Sequence, residues 1–144
     1  LCEHRPELAS QGFERSGIFV RDRAAGAFDG TLSQQGACYA LCFDSHDGRV
    51  RCLRVAGGVV HDLLPAPRFA PATAWRRFRI EAEGARLRFH LDGELLLETH
   101  DATHGEGAFG IGYHEYFSNN ALMRGARVDA VHADVPNSFL LDLR

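Results

Sequence analysis

The most chemically versatile side chains of the sequence are concentrated in residues 112–120, which read GYHEYFSNN. Carbohydrate sites combine aromatic rings, which stack on the C–H surfaces of sugars, with polar side chains that hydrogen-bond the hydroxyl groups. This segment contains both kinds of side chain, and we expect it to lie where a strand becomes a loop. Its candidate ligand-binding residues are Tyr113, His114, Glu115, Tyr116, Asn119 and Asn120.

Acid–base chemistry is a second use for the same segment. His114 and Glu115 place an imidazole beside a carboxylate, a pair that can donate and accept protons near neutral pH. A purely structural interpretation also stays open. In it Tyr113 and Phe117 pack in the core, Glu115 caps a turn, and the two asparagines that follow form that turn.

Arg21 is a further candidate ligand-binding residue, at the end of a predicted strand over residues 16–22. If Ile18 and Val20 face the core, Phe19 and Arg21 share the opposite face and could line a groove. A plain salt bridge is the alternative role for Arg21, and we favour it.

Three of the eight histidines, His100, His104 and His114, lie around one predicted loop. The spacing His-x-x-x-His presents both rings to one metal ion on a helix, where residues four apart share a face. Gly105 and Gly107 argue against a helix there, so the sequence does not predict a transition-metal site.

The four cysteines lack the paired Cys-x-x-Cys spacing of structural zinc sites. The run CYALCFDSHDGRVRC predicts a β-hairpin. If His46, Asp47 and Gly48 form a three-residue loop, with Gly48 in the left-handed region, Cys42 lies opposite Cys52. We favour two buried thiols, and a cross-strand disulfide is the alternative.

Composition excludes several classes of protein. The 144 residues carry a formal net charge of -3, which argues against a general nucleic-acid-binding protein. No apolar run approaches the roughly 18 residues that a membrane span needs, and no signal peptide is recognisable. All 16 basic residues are Arg, which indicates a GC-rich bacterial genome.

The scaffold that must position these residues is indicated by residues 75–113, where apolar and charged residues alternate with the period of half-buried strands. A two-residue turn at residues 84–85 pairs Ile80 with Phe89 on one face and Glu81 with Arg88 on the other. One face is then wholly apolar and the other largely charge-paired. We therefore interpret the arginines of residues 76–88 as a solvated strand face, not a phosphate-binding surface.

Further strands are predicted at residues 16–22, 38–44, 49–55, 59–64, 95–99, 108–113 and 126–135. Residues 1–15 are predicted to be an irregular lead-in or an edge strand, residues 23–36 and 115–125 to be loops, and the apolar tail 139–143 to pack as an edge strand or a turn of helix. Many short strands with turn residues between them predict an all-β fold, an antiparallel β-sandwich or jelly roll. Residues 1–144 are expected to form a single domain.

Three stretches of sequence carry a family resemblance: Trp75-x-x-Phe78-x-Ile80, Leu91-Asp92-Gly93-Glu94 and Gly107-x-x-Gly110-Ile111-Gly112. Together with the predicted closing strand, they resemble the concanavalin A-like lectin/glucanase superfamily. The likeness is greatest to its laminin G-like bacterial branch, which includes glycoside hydrolase-type domains, and it covers residues 16–135. It implies a sandwich of two curved sheets that binds glycans on its concave face or in rim loops, and it suggests that the chain lacks N-terminal strands.

The resemblance also sets expectations for catalysis. The retaining glucanases of this superfamily use Glu-x-Asp-x-x-Glu to place two carboxylates on one strand face. That motif is absent here, and the nearest carboxylate pairs are Glu81 with Glu83 and Glu94 with Glu98. The first pair already has arginine partners in the predicted hairpin, so we interpret it as structural.

Calcium is the one ion that the resemblance makes plausible, because laminin G-like domains often hold it through Asp side chains and backbone carbonyls. Asp29, Asp44 and Asp101 are candidates by residue type alone. None lies in a Ca²⁺-binding loop motif, so no ligand set is assigned and no other cofactor is expected.

The expected function is recognition of an oligo- or polysaccharide by a non-catalytic lectin-like domain, as a homo-oligomer or beside a catalytic domain. One alternative is a glycoside hydrolase or polysaccharide lyase that uses His114 and Glu115. Another is a structural or oligomerisation domain, in which an open sheet edge pairs with a second chain. A secreted or periplasmic location is expected over a cytoplasmic one, with no nucleic-acid or membrane partner.

Overall fold

The computed structural model describes residues 2–3, 12–23, 37–44, 48–57, 59–71, 75–117 and 127–128 of the chain. Within these ranges the regular secondary structure consists of β-strands. The strands are β1 (Cys2–Glu3), β2 (Gly12–Asp22), β3 (Cys38–Asp44), β4 (Arg49–Ala56), β5 (Val59–Asp62), β6 (Arg68–Phe69), β7 (Trp75–Arg76), β8 (Phe78–Glu83), β9 (Arg86–Leu91), β10 (Glu94–His100), β11 (Ala108–Phe117) and β12 (Arg127–Val128). The described residues contain no helix that could cross a membrane.

The strands form antiparallel sheets in two layers, which confirms the predicted β-sandwich. One layer is a six-stranded sheet of order β11-β2-β3-β4-β5, in which β6 also pairs with β4. The second layer contains the sheet β10-β9-β8, and β12, β1 and β7 form a separate three-stranded sheet. Arg77 alone separates β7 from β8 along the chain.

The core lies between the six-stranded sheet and the sheet β10-β9-β8. Leu41 and Phe43 of β3 project into it from one layer, and Leu87 and Phe89 of β9 from the other. All four side chains are almost fully buried. Removing each from water contributes roughly 1.5–3 kcal/mol, so this cluster is the main stabilising contact between the layers.

The hairpin of β8 and β9 has the register that the sequence predicts. Ile80 pairs with Phe89 on the core face, and Glu81 pairs with Arg88 on the other face. Gly84 adopts a positive φ of 54°, as a tight turn requires. The Glu81 carboxylate lies 2.6 Å from the guanidinium groups of both Arg79 and Arg88, which confirms the charge-paired face.

Arg76 departs from that interpretation because it is buried. Its guanidinium lies 2.7 Å from the Asp92 carboxylate and 5.6 Å from the centre of the Phe43 ring, and it also donates to the Pro71 carbonyl. The other Asp92 oxygen accepts the Arg77 backbone N–H at 2.8 Å. Asp92 thus closes the β9–β10 turn and neutralises a cation at the edge of the core.

The predicted register of the cysteine hairpin is wrong by one residue. Leu41 pairs with Cys52, and Cys42 pairs with Arg51. The connection spans residues 45–48, one residue more than predicted, although Gly48 does have the expected positive φ of 71°. Because successive side chains alternate between faces, Cys42 and Cys52 lie on opposite faces of the sheet and cannot form a disulfide. Cys38, Cys42 and Cys52 are buried free thiols.

Strand boundaries differ from the predictions mainly where the six-stranded sheet extends a ladder. β2 begins at Gly12, four residues before the predicted start of that strand, and β11 continues to Phe117 instead of ending at residue 113. The two extensions pair with each other, since Phe117 lies opposite Gly12. Cross-strand hydrogen bonding has here outweighed the local turn preference of polar residues. The predictions for residues 24–36, 118–126 and the tail 139–143 lie outside the described residues.

Candidate functional site

The clearest candidate site is a group of polar and aromatic side chains on the face of the six-stranded sheet that points away from the core. In β4, Val50 and Cys52 face the core, so the alternating residues Arg49 and Arg51 face outward. The other members come from the neighbouring strands β5 and β6. They point the same way because cross-strand partners share a face. Asp62 lies opposite Leu53, and Phe69 lies opposite Arg49. We call this group the β4–β6 patch: Arg49, Arg51, Asp62 and Phe69.

The β4–β6 patch combines hydrogen-bond donors, an acceptor and an apolar ring. Asp62 Oδ2 lies 3.2 Å from the Arg49 guanidinium and 3.9 Å from that of Arg51. The second distance exceeds hydrogen-bond length. The Arg51 Nε is buried and has no acceptor among the described residues, whereas the side chain as a whole is 23% exposed, so a ligand would be met by its terminal nitrogens. The ring of Phe69 beside them is 62% exposed.

The backbone around the patch is held on both sides. Asp62 Oδ1 accepts the Leu64 N–H at 3.2 Å, and the Leu63 N–H donates to the Cys52 carbonyl at 2.6 Å. The Ala70 N–H donates to the Gly48 carbonyl at 2.8 Å. Neighbouring Arg68 forms an ion pair with Glu94 of β10. The exposed ring is thus presented on a fixed backbone, which lowers the entropy lost when a ligand binds.

A second polar group, which we call the end cluster, closes one end of the sandwich through Arg21, Tyr39, Arg54, Asp101 and His104. The Tyr39 hydroxyl donates to Asp101 Oδ1 at 2.7 Å and accepts the His104 N–H at 3.2 Å. Arg54 donates to Asp101 Oδ2 at 2.8 Å. His104 Nε2 lies 2.7 Å from the Val55 carbonyl oxygen, so this nitrogen carries the proton.

Electrostatics identify the end cluster as structural. Burial alone would raise the pKa of Asp101, but hydrogen bonds from Thr103, Tyr39 and Arg54 outweigh it and hold that pKa well below its usual range. Burial raises the pKa of Tyr39. Asp101 therefore stays ionised and Tyr39 neutral at physiological pH. Neither group is placed to exchange a proton with a substrate, and both instead fix residues 101–104 against β3 and β4.

Arg21 belongs to this end cluster. Ile18 and Val20 pack on the core as predicted, and Phe19 packs on the opposite face. Arg21, however, has a positive φ of 56°, which interrupts the strand alternation. Its guanidinium consequently donates to the His104 carbonyl at 2.9 Å and does not share a face with Phe19 as predicted.

Gly107 permits the close contact between β2 and the chain that leaves the end cluster. It has a φ of 145°, and a Cβ placed on it would lie 2.5 Å from the Arg21 carbonyl carbon. The chain that returns from the end cluster thus passes directly against the backbone of β2. Only a glycine allows that approach.

Residues 112–117 of the predicted 112–120 segment lie at the other margin of the six-stranded sheet. Residues 112–117 belong to β11, so the expected strand-to-loop junction is wrong for them, because the ladder with β2 continues. Tyr113, His114, Glu115 and Tyr116 have the backbone partners Ser16, Arg15, Glu14 and Phe13. Asn119 and Asn120 lie outside the described residues.

The two margins of the sheet are linked by register. His114 is the backbone partner of Arg15, which is the partner of Asp44. Asp44 is in turn the partner of Arg49, and Arg49 of Phe69. One transverse row therefore joins the predicted segment to the β4–β6 patch over four strand spacings, a distance of about 19 Å.

The metal candidates are placed as follows. His104 uses its Nε2 for the Val55 carbonyl, and His100 is exposed at the end of β10. Asp101 is surrounded by donors, Asp44 is buried, and Asp29 lies outside the described residues. Among the residues that the structure describes, no group of three His, Cys, Asp or Glu side chains is arranged to hold a metal ion.

The sequence analysis did not identify the β4–β6 patch. A signal for it exists in RVRCLRV, where arginines alternate with Val and Cys, so that one strand face is charged while the other is apolar. The partners of these arginines could not be found in the same way. β6 is two residues long and lies in a proline-rich stretch that reads as a connector.

The comparison with known proteins shows a likeness of fold. The solved structure of a carbohydrate-binding module, CBM66 from Bacillus subtilis, is similar to this chain with a TM-score of 0.52 and 20% sequence identity. The likeness covers 76% of this chain and 71% of the module. No protein-family model and no curated protein matches the sequence. At this identity the likeness supports the β-sandwich fold alone.

Proposed function

We propose that this chain is a non-catalytic carbohydrate-binding domain that holds an oligo- or polysaccharide on the β4–β6 patch. One observation carries the proposal: the exposed Phe69 ring lies in cross-strand register with Arg49, beside Arg51 and Asp62. The likeness of fold to a carbohydrate-binding module also supports carbohydrate as the ligand. We also propose that the sandwich is of the concanavalin A-like, laminin G-like kind, as the sequence resemblance implies.

The chemistry of the β4–β6 patch suits a sugar ring. An exposed aromatic face stacks on the C–H surface of a pyranose or furanose, which removes apolar area from water on both sides. The arginines can donate to hydroxyl oxygens, and Asp62 can accept from hydroxyl groups. The patch holds two arginines and one aspartate, so its net charge is positive.

The predicted residues of β11 form the second part of the proposal. Tyr113, His114, Glu115 and Tyr116 would contact the same glycan farther along the transverse row, at the opposite margin of the sheet. Support comes from the backbone register that joins His114 to Arg49 and Phe69. A glycan that reached both margins would be an extended chain that passes over the buried Asp44 in the middle of the row, because the row measures about 19 Å.

Four of the described carboxylates, Glu81, Asp92, Glu98 and Asp101, are unsuited to act as a general acid. A general acid needs a raised pKa so that it carries a proton near neutral pH. The hydrogen bond from Arg86 instead lowers the pKa of Glu98, and the donors around Asp101 lower that of Asp101. Ion pairs also occupy Glu81 and Asp92. These groups support ion pairing and not proton donation.

A glycan-array screen of the purified chain, in calcium and in chelator, tests the proposal. The array is repeated with Phe69→Ala and with Leu95→Ala. Leu95 is a matched control because it is 47% exposed on a strand of the other layer. We expect saturable binding to one glycan class, weakened about tenfold or more by Phe69→Ala and unchanged by Leu95→Ala.

Three outcomes would count against the proposal. Absence of binding across a broad array would remove the carbohydrate function. Equal losses in both variants would show that the binding surface is not the β4–β6 patch. Release of reducing ends or unsaturated sugars from the bound glycan would show catalysis, and retention of that activity in Glu115→Gln would exclude Glu115 as its acid or base.

A further inference from the structure

The margins of the sheets differ in how they are protected against pairing with another chain. An uncovered strand edge invites pairing, and proteins guard it with short strands, charges or bulges. β5 is four residues long. β10 carries Glu94 and Glu98 and has an irregularity between Leu95 and Leu97. Both of these edges are therefore guarded.

The edge formed by β11 has neither a charge nor a proline over its first half, and the irregularity of its ladder between Ala108 and Gly110 has its extra residue on β2 and not on β11. Among the described strands β11 pairs with β2 alone, and it is ten residues long. From Ala108 to Gly112 it contains no charged residue and no proline. Phe109 and Ile111 are 56% and 50% exposed, while the alternating positions are glycines. Two large apolar side chains thus stand in solvent beside an unguarded backbone edge.

We propose that this edge binds a second copy of the chain, by antiparallel pairing of β11 with β11 about a two-fold axis at Gly110. In this register Phe109 of each copy lies opposite Ile111 of the other, and Ala108 lies opposite Gly112. The four exposed side chains meet on one face, and the two six-stranded sheets become continuous. A two-fold axis makes the contact self-complementary, so one unguarded edge satisfies both copies.

Charge favours pairing of a second copy at the β11 edge over pairing at the β10 edge. The proposed pairing brings no charged residues of the 108–112 segment together. The same operation on β10 about Leu96 would set Glu94 of one copy opposite Glu98 of the other, which is repulsive.

The area that this pairing buries limits the affinity of the dimer. Five paired residues and four side chains cover less than the roughly 800 Å² per partner of stable complexes, so the dimer is weak and depends on concentration.

Sedimentation velocity over a concentration series tests this directly. The monomer has a mass of 15.9 kDa, and we expect the average mass to rise toward twice that value as concentration increases. Ile111→Lys should remain monomeric throughout. Val59→Lys is the matched control, because Val59 is a 55% exposed apolar strand residue on the β5 edge, and this variant should dimerise like the parent.

Two results would overturn the proposal. One is a parent chain that stays at 15.9 kDa up to about 1 mM, a concentration that would reveal even a 4 kcal/mol association. The other is equal dimerisation of parent and Ile111→Lys. The melting temperatures of both lysine variants should match that of the parent, which separates loss of pairing from loss of fold.

Cysteine cross-linking tests the register independently. In a Cys2→Ser background, the double variant Phe109→Cys/Ile111→Cys should form intermolecular disulfides, because positions 109 and 111 face each other across the axis. The remaining thiols, Cys38, Cys42 and Cys52, are buried and should not react. Efficient cross-linking of single Ile111→Cys, which has no opposing thiol in this register, would contradict it.

Discussion

Tyr39→Phe is the most informative single change to the fold, because it removes one oxygen atom and keeps the ring. The Tyr39 ring is fully buried and lies edge-on to the His104 ring, with 5.2 Å between their centres. Its hydroxyl joins two chain segments that are 62 residues apart by donating to Asp101. The variant therefore tests whether the hydrogen bonds of the end cluster contribute to the stability of the sandwich.

The expected loss of stability in Tyr39→Phe follows from the two hydrogen bonds that the variant cannot form. A hydrogen bond to a charged carboxylate is worth about 1.5–3 kcal/mol, and leaving the His104 N–H buried without a partner costs about 1–3 kcal/mol. The two effects share one site and do not add fully, so we expect a loss of about 3 kcal/mol. For a chain of this length that corresponds to a fall in melting temperature of about 10 °C.

Acid conditions should reduce the loss of stability caused by Tyr39→Phe. The folded-state pKa of Asp101 lies below its unfolded value of about 3.9, so its ionised form stabilises the fold above that pH and stops doing so as pH falls through the folded pKa. Tyr39 is one of the donors that lower this pKa, and the variant has less of this stabilisation to lose. The difference between parent and Tyr39→Phe should thus be full at pH 7 and shrink below about pH 4.

Denaturant unfolding at pH 7 and at several values below pH 5, with thermal melts at pH 7, measures both effects. A double-mutant cycle with Asp101→Asn provides the control, because two changes at one contact should be non-additive. A melting temperature within about 2 °C of the parent would refute the reasoning. Strictly additive losses would also refute it, since they would show that Tyr39 and Asp101 act independently.

Three further predictions concern other parts of the chain. Gly107→Ala should lower the free energy of unfolding by about 2–4 kcal/mol in denaturant melts, since its Cβ would collide with the backbone of Arg21; an unchanged midpoint would show that the return chain can move aside. Phe89→Ala should cost about 3–5 kcal/mol by leaving a cavity between the layers, and a cost below about 1 kcal/mol would place the core elsewhere. His114→Ala and Tyr116→Ala should each weaken glycan binding in calorimetric titrations with little change in melting temperature; a large thermal loss would make these residues structural.

Local patterns predicted the part of the fold where partners are close in sequence. The hairpin of β8 and β9 has a two-residue turn and a strict alternation, so any slip would bury Glu81 or Arg88. The Cys42–Cys52 register failed because loop length cannot be read from composition, and one extra residue reverses every face. The end of β11 was missed because its partner, the start of β2, is about a hundred residues away.

The candidate site was less accessible to sequence reasoning than the fold. Arg49 and Phe69 meet because β6 returns to the margin of β4, and a two-residue strand between prolines leaves no periodic signal. Asp101 meets Tyr39 and Arg54 across 62 and 47 residues. Tertiary pairing of this range follows from the assembled sheets and not from any local pattern.

Chemical-shift mapping of a bound glycan on the isotope-labelled chain is the most direct test of the central claim, that carbohydrate binds the β4–β6 patch. Backbone amides are followed while the best ligand from the array is titrated to saturation. We predict that the largest shifts fall on Arg49, Arg51, Asp62 and Phe69, and that they disappear in Phe69→Ala. Shifts confined to other residues, or none with any glycan, would contradict the account.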